Sequence, residues 1–398
     1  MFSRLLLLIV FAFSFDFYAD EVDGLPELAS EKEKRKMQVR RSKVLATSVA
    51  RRVTKVVENL DLSIPPGKVT CLLGPSGCGK STTLRIAAGL EQQDYGKVKI
   101  NGNLISEPNV CHLPPEKRNI GFMFQDFALF PHLNVKKNIE FGFTNNRYKQ
   151  YDHFSSDELL KKIGLDGFQK KYPHTLSGGE QQRIALARAI SGMPMLMLMD
   201  EPFSGLDKRL RDEIRDETIE MLRDQGVAVL IVTHEPEEAM KMADNIALMK
   251  NGKIIQQGAP YNIYNKPLNS SVAAFFSDIN ILNSIVKDGR TDTPFGPFIT
   301  PGYKEGSYVE IIIRPQHLKI DFDRSGKGPN ATVQDGVPAR GKVCISRFIG
   351  KESIIELKME KDGSKLKASI PGVFLPDPET PLWLSMRRDR CFVFLKNI

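Results

Sequence analysis

The sequence predicts an α/β domain built on a largely parallel sheet, followed by a small, barrel-like all-β domain. Three observations predict it. Between residues 68 and 250, short apolar runs alternate with longer helical patterns, the rhythm of repeated strand–helix units. Lys68 to Leu73, a run short enough for a buried strand, feeds a glycine-rich loop and then the helical pattern Thr82 to Leu90. From about residue 280 the chain changes to short strands divided by Gly, Asp and Pro.

The elements follow in order. Val53 to Ile64 alternates loosely, and Pro65-Pro66-Gly67 breaks the pattern. After the glycine loop, Asn119 to Phe124, Met195 to Met199, Val227 to Val232 and Ile246 to Met249 read as further strands. Asn251-Gly252, set between Ile246 to Met249 and Ile254-Ile255, is a two-residue hairpin signal, because both residues accept positive φ. Ile355 to Glu360 alternates strictly, Lys361-Asp362-Gly363 turns the chain, and Lys365 to Ile370 returns. With 41% hydrophobic and 26% charged residues, the chain is neither disordered nor a disulfide scaffold. No run reaches the ~18 apolar residues of a membrane span.

The formal charge of +8 is concentrated in one place. Residues 31–55 hold ten Lys and Arg against two Glu, which is the whole excess. A nucleic-acid binder would carry its basic stripe over a folded face, so this run reads as a solvated leader and no nucleic-acid partner is expected. The five cysteines are odd in number and lack CxxC spacing, which fits a reducing compartment. Against that stands Arg4 with the apolar run Leu5 to Phe13, which has the form of an export signal. Its cleavage region is poor, since Phe17-Tyr18-Ala19 is bulky where small residues are preferred. Residues 1–36 are read as an over-long start before Met37 or an incidental leader, ahead of true export.

Gly74-Pro75-Ser76-Gly77-Cys78-Gly79-Lys80-Ser81 fits GxxxxGK[ST] between a strand and a helix, the context that the pattern requires. The glycines turn backbone N–H groups toward a polyphosphate, Lys80 reaches its outer oxygens, and the Ser81 hydroxyl can ligate Mg²⁺. Cys78 is a small filler of this loop. A second element is Met195 to Met199 followed by Asp200-Glu201: a carboxylate at a strand end for the metal, and a neighbour to polarise water. A third is Leu176-Ser177-Gly178-Gly179-Glu180, which opens a helix ahead of Asp200.

With these residues the chain resembles the ATP-binding subunit of an ABC transporter, over roughly residues 40–278. Gly74 to Ser81 match the Walker A loop, Gln125 the Q-loop, and Leu176 to Glu180 with Gln181 the signature. Leu196 to Asp200 match Walker B, with Glu201 as catalytic carboxylate. Ser204-Gly205-Leu206-Asp207 match the D-loop and His234 the switch histidine. The resemblance implies a P-loop NTPase domain over residues 37–278, with a helical subdomain at about 126–190, and a regulatory β-barrel of OB-like type over 279–398. It implies ATP as ligand, bound by residues 74–81 and Thr82 of one copy and by Ser177, Gly178, Gly179 and Gln181 of a second. Mg²⁺ would be held by Ser81, Gln125 and Asp200, and hydrolysis carried by Glu201, His234 and Gln125. The implied partners are a second copy, an integral membrane permease and, indirectly, a periplasmic solute-binding protein, placing the chain as a peripheral subunit on the cytoplasmic face of the inner membrane.

One departure stands out. The family stacks adenine on an aromatic residue roughly 30 positions before the Walker lysine, where this chain has Arg51, and no Phe, Tyr or Trp occurs from Met37 to Ser81. A guanidinium can stack on a base, so Arg51 or Arg52 is the expected substitute. Asp126 to Leu133 resembles the segment by which such subunits meet a permease. Ile313-Arg314-Pro315-Gln316 resembles the opening strand of the regulatory barrel, with Gln316 in place of an acid. Thr293-Pro294-Phe295-Gly296 and Ile370-Pro371-Gly372 resemble the ferric-iron branch, with polyamine and sugar importers as near relatives. No ferric site is expected in this chain, because such importers select the solute elsewhere.

Overall fold

The computed structural model describes residues 55–141, 155–322 and 328–396, so the leader and Arg51 and Arg52 lie outside the described residues. The chain runs β1 (Val69–Leu73), α1 (Lys80–Ala88), β2 (Val98–Ile100), β3 (Asn103–Glu107), β4 (Cys111–His112) and β5 (Ile120–Met123). Three helices follow: α2 (Val135–Glu140), α3 (Ser156–Lys162) and α4 (Gly178–Ser191). Then come β6 (Leu196–Asp200), α5 (Lys208–Asp224), β7 (Ala228–Thr233) and α6 (Pro236–Met242). The hairpin β8 (Asn245–Lys250) and β9 (Lys253–Gly258) precedes α7 (Pro260–Asn265) and α8 (Ser270–Phe276).

Six strands form one sheet in the order β5-β6-β7-β1-β8-β9. All are parallel except β9, which returns antiparallel from β8 through Asn251-Gly252 at φ 50° and 79°, as the turn signal predicts. Both faces of the sheet are covered, so its central strands are apolar throughout. Val69, Cys71, Leu73, Met197, Met199, Val229 and Ile231 pack on one side, and Leu72, Leu198, Leu230, Val232 and Ala247 on the other. Register does the positioning: Leu73 lies opposite Thr233, and Asp200 opposite Val232. The carboxyl ends of β1, β6 and β7 therefore open side by side, where ligands bind in open parallel sheets.

The helices at 135–191 have a core of their own, formed by Val135, Ile139, Leu159, Leu160, Leu176, Ile184 and Ala187. Helix α4 belongs to both cores, since its Ala185, Leu186 and Ile190 pack toward the sheet. Two features differ from the sequence expectation. Helix α1 starts at Lys80, two residues before Thr82, because Gly79 supplies the left-handed entry that launches it. Strands β2, β3 and β4 form a small antiparallel sheet that has no readable period, its members being 3, 5 and 2 residues long. Leu60, Leu62 and Ile64 pack against the sheet without pairing into it.

The rest of the described chain is β: β10 (Asn280–Lys287), β11 (Arg290–Thr293), β12 (Gly296–Ile299), β13 (Tyr308–Ile313), β14 (Leu318–Phe322), β15 (Ala339–Phe348), β16 (Glu352–Met359), β17 (Lys365–Pro371), β18 (Pro381–Met386) and β19 (Phe392–Leu395). Two five-stranded antiparallel sheets, β12-β11-β10-β13-β19 and β14-β18-β15-β16-β17, enclose Phe295, Ile311, Val343, Leu357 and Leu384. Asn280 joins them: its side chain exchanges two hydrogen bonds with the Lys367 backbone, at 2.7 and 2.8 Å, and closes the edge of β17. The β part meets the α/β part at Arg314, which is 1% exposed. Its guanidinium lies 3.5 Å over the Tyr264 ring and donates to the Tyr264 carbonyl and the Ser277 hydroxyl.

Candidate functional site

Four strand ends build the site, those of β1, β5, β6 and β7. At the end of β1, the loop Gly74–Ser81 closes against the β8–β9 turn. The Gly252 N–H donates to the Cys78 carbonyl at 3.1 Å, and a Cβ on Gly74 would lie 2.2 Å from the Met249 carbonyl. Gly79 caps α1 in the left-handed region at φ 105°, with no side chain on the first N–H groups of the helix. Those donors stay open to a ligand, and the helix dipole favours an anion there. Lys80 is buried, its ammonium donating to the carbonyls of Gly74 at 2.8 Å and Pro75 at 3.0 Å. The loop thereby fixes the cation at its own mouth. Cys78 is buried in the loop, as a filler would be.

At the end of β6, Asp200 accepts a hydrogen bond from the Ser81 hydroxyl at 3.1 Å. Burial pushes the Asp200 carboxyl above its ordinary value, and the Ser81 hydrogen bond pulls it partly back. A hydroxyl and a carboxylate so placed are the hard oxygen donors that suit Mg²⁺, which keeps most of its own waters. Glu201 follows at φ 46°, a conformation rare for a side-chain-bearing residue, and its N–H donates to the Val232 carbonyl at 3.0 Å. The reversal swings its carboxylate out of the strand line. Both of its oxygens are engaged: His234 Nδ1 lies 2.9 Å from Oε1, and Gln125 Nε2 donates to Oε2 at 3.4 Å. Gln125 comes from the end of β5 and His234 from the end of β7, so three separate strands meet on one carboxylate.

Ser177, Gly178 and Gly179 begin α4, with Ser177 as its cap. The Glu180 N–H donates to Ser177 Oγ at 3.4 Å, and Glu180 accepts from the Ser177 N–H at 2.7 Å and from its hydroxyl at 2.8 Å. These bonds hold the Glu180 carboxyl below the ordinary range, the backbone one foremost. Gln181 turns its amide back to the carbonyls of Pro173 and Leu176, bracing the segment before the helix. Of the Asp126–Leu133 segment, the partly buried Phe127 and Leu129 pack against the core.

Several supporting residues escaped the sequence reading. Arg188 of α4 donates to the carbonyls of Phe127 at 2.9 Å and Ala128 at 2.7 Å, holding two consecutive residues with positive φ. Asn138, fully buried, accepts from the Phe130 N–H and donates to the carbonyls of Phe130, Leu133 and Asn134. An Asn on the apolar face formed by Val135 and Ile139 was a readable signal. Gln182 donates to the Pro202 carbonyl and ties α4 to the segment after Glu201. Arg211 joins Leu206 to Glu235 and Glu238.

Residues 57–204 match the ABC transporter family. Over 306 residues the chain is 38% identical to a spermidine/putrescine import ATP-binding protein of Clostridioides difficile, covering 76% of this chain and 84% of that one. Over 349 residues it is 36% identical to an Fe(3+) ions import ATP-binding protein of Fusobacterium nucleatum, covering 86% and 90%. Over 348 residues it is 36% identical to a sulfate/thiosulfate import ATP-binding protein of Synechococcus elongatus, covering 85% and 92%.

Proposed function

This chain belongs to the ATP-binding import subunits of ABC transporters, and from that premise we propose that it hydrolyses ATP as one of a pair of copies that drive a membrane permease. The observation that carries the reading is the meeting of Gln125, Glu201 and His234 beside the Ser81–Asp200 pair, at the mouth of an uncapped glycine loop. The loop N–H groups and Lys80 would bind the polyphosphate, and Ser81, Asp200 and Gln125 would hold Mg²⁺. When bound, that ion neutralises charge on the phosphate oxygens. Glu201 orients the attacking water as an acceptor, its carboxylate plane fixed from both sides. Because an ionised carboxylate only accepts, His234 Nδ1 carries the proton in that contact, and Nε2 donates to a phosphate only in the imidazolium. Ser177 and the Gly178 and Gly179 amides would meet the nucleotide of the second copy.

Two substitutions test the reading. Glu201→Gln should keep ATP binding and accumulate an ATP-bound dimer, with turnover down by about a thousandfold; normal turnover would remove Glu201 from its role. Lys80→Ala should weaken nucleotide binding itself, and retained affinity there contradicts the loop assignment. Arg51 as the base-stacking residue predicts weaker discrimination of ATP from GTP than an aromatic confers, and competition binding that strongly favours ATP would reject it.

For the solute our reading is ferric iron, supported by the resemblance at Thr293–Gly296 and Ile370–Gly372. In the fold both segments serve as β turns and strand ends: the Phe295 N–H donates to the Thr293 hydroxyl at 3.1 Å, and the Gly372 N–H to the Lys351 carbonyl at 3.0 Å. Relatives of similar identity carry polyamine, iron and sulfate names, so uptake decides the solute. Deleting the gene should abolish ferric uptake and spare that of spermidine and sulfate; the reverse pattern reassigns it. Among the described residues no helix is long and apolar enough to cross a membrane. As a peripheral subunit on the cytoplasmic face, the protein should leave the membrane fraction on alkaline wash.

A further inference from the structure

Glu201 and His234 stand on two loops, one after β6 (Glu201–Asp207) and one after β7 (His234–Glu235). A single guanidinium spans them. Arg211, in the first turn of α5, donates from Nη2 to the Leu206 carbonyl at 2.9 Å. From Nη1 it donates to the two Glu235 carboxylate oxygens at 3.0 and 2.9 Å and to Glu238 at 3.3 Å. Helix α5 does not need these contacts to start, since Asp207 caps it and takes the Leu210 N–H at 3.1 Å.

The far side of the clamp leads back to the switch histidine. Glu238 is buried and accepts from the Thr233 hydroxyl at 3.3 Å, and that hydroxyl accepts from the Glu235 N–H at 3.1 Å. Thr233 and Glu235 flank His234, whose Nδ1 meets Glu201 at 2.9 Å. Both neighbours of the histidine are thus tied, through one planar cation, to the carbonyl five residues after Glu201. A lysine carries its charge at one point and cannot present the same fork to a carbonyl and two carboxylates.

We propose that Arg211 is a positioning residue for hydrolysis: it sets the spacing of the two loops so that His234 stays on Glu201. The inference rests on the roles given to those two residues above, and its experiment separates the two. Mg²⁺-ATP hydrolysis by the full chain with its permease comes first, and an inactive wild type overturns the reading of the site itself. With an active wild type, Arg211→Met should lower kcat by about tenfold or more while KM for ATP moves less than about twofold. Arg211→Lys should fall between. An unchanged kcat, or a loss carried mainly by KM, overturns the proposal.

A double-mutant cycle supplies the readout that a purely structural tie would not move. On a His234→Ala background, Arg211→Met should cost less than about twofold further, because its target is already gone. Losses that multiply in full show that Arg211 does not act through His234. Should the Met variant fail to fold, Arg211→Lys and Glu235→Gln run through the same cycle with the same two outcomes.

Discussion

Two helices present their N-termini among the candidate binding residues, and they begin in opposite ways. Helix α1 starts behind Gly79, left-handed and without a side-chain cap. Helix α4 starts behind Ser177 with a full capping box, Ser177 and Glu180 satisfying each other's donors. A helix start leaves N–H groups that must find partners. The first arrangement leaves them without a side-chain partner, as a phosphate-binding end would need. The second satisfies the N–H groups of Ser177 and Glu180 within the chain, so the Ser177 end is braced when it faces no nucleotide, and its hydroxyl must leave Glu180 at 2.8 Å to serve one. A site shared between two copies needs that kind of end, because it is exposed whenever the copies part.

The sharpest way to break this contrast is Gly79→Ala. A Cβ there would sit 2.7 Å from the Val56 carbonyl at φ 105°, and left-handed strain adds ~1–3 kcal/mol. Nucleotide affinity should fall by about tenfold or more, read by titration with a fluorescent ATP analogue. Unchanged affinity would mean that the loop is not the phosphate cradle. Next in size, Ser177→Ala should leave affinity in the separate chain intact and cost ~1 kcal/mol of stability through the lost cap. It should also reduce the ATP-bound dimer formed by Glu201→Gln, measured by size exclusion. A loss of affinity in the separate chain would erase the distinction between the two helix ends.

The smallest effect is a pH dependence. Because the Ser177 backbone N–H and then its hydroxyl hold the Glu180 carboxyl low, the box stabilises the fold above the ordinary glutamate pKa. That stability is lost as pH falls through the lowered value. Wild type and Glu180→Gln should therefore differ in denaturant midpoint near neutrality and converge in acid; a gap that widens in acid would reverse the assignment.

What was legible in the sequence was local. Gly74–Ser81 announces itself because each residue acts on the same few ångströms of backbone. The Asn251-Gly252 turn does so because positive φ selects those residue types. Strands β16 and β17 were readable from alternation, their buried residues falling at every second position along most of each strand. Arg211 and Arg188 were not readable in the same way. Arg188 meets backbone carbonyls, which carry no residue identity, 60 and 61 residues away, and Arg211 meets carboxylates 24 and 27 residues further along the chain. For the bracing role of Gln181 the same holds, since the resemblance placed it among nucleotide ligands while its amide meets two backbone carbonyls.

By itself the sequence determined the groups on offer: a glycine-rich loop ending in a lysine, a carboxylate at a strand end, a second carboxylate beside it, and a serine-capped helix end. Only the tertiary structure decided that Gln125, 76 residues before Glu201, and His234, 33 residues after it, grip the same carboxylate. The reason lies in how a parallel sheet is stabilised. Strand order and register are set by side chains packed on both faces across distant segments. No window of sequence contains that energy, and until the strands align, their ends share no space in which to build a site.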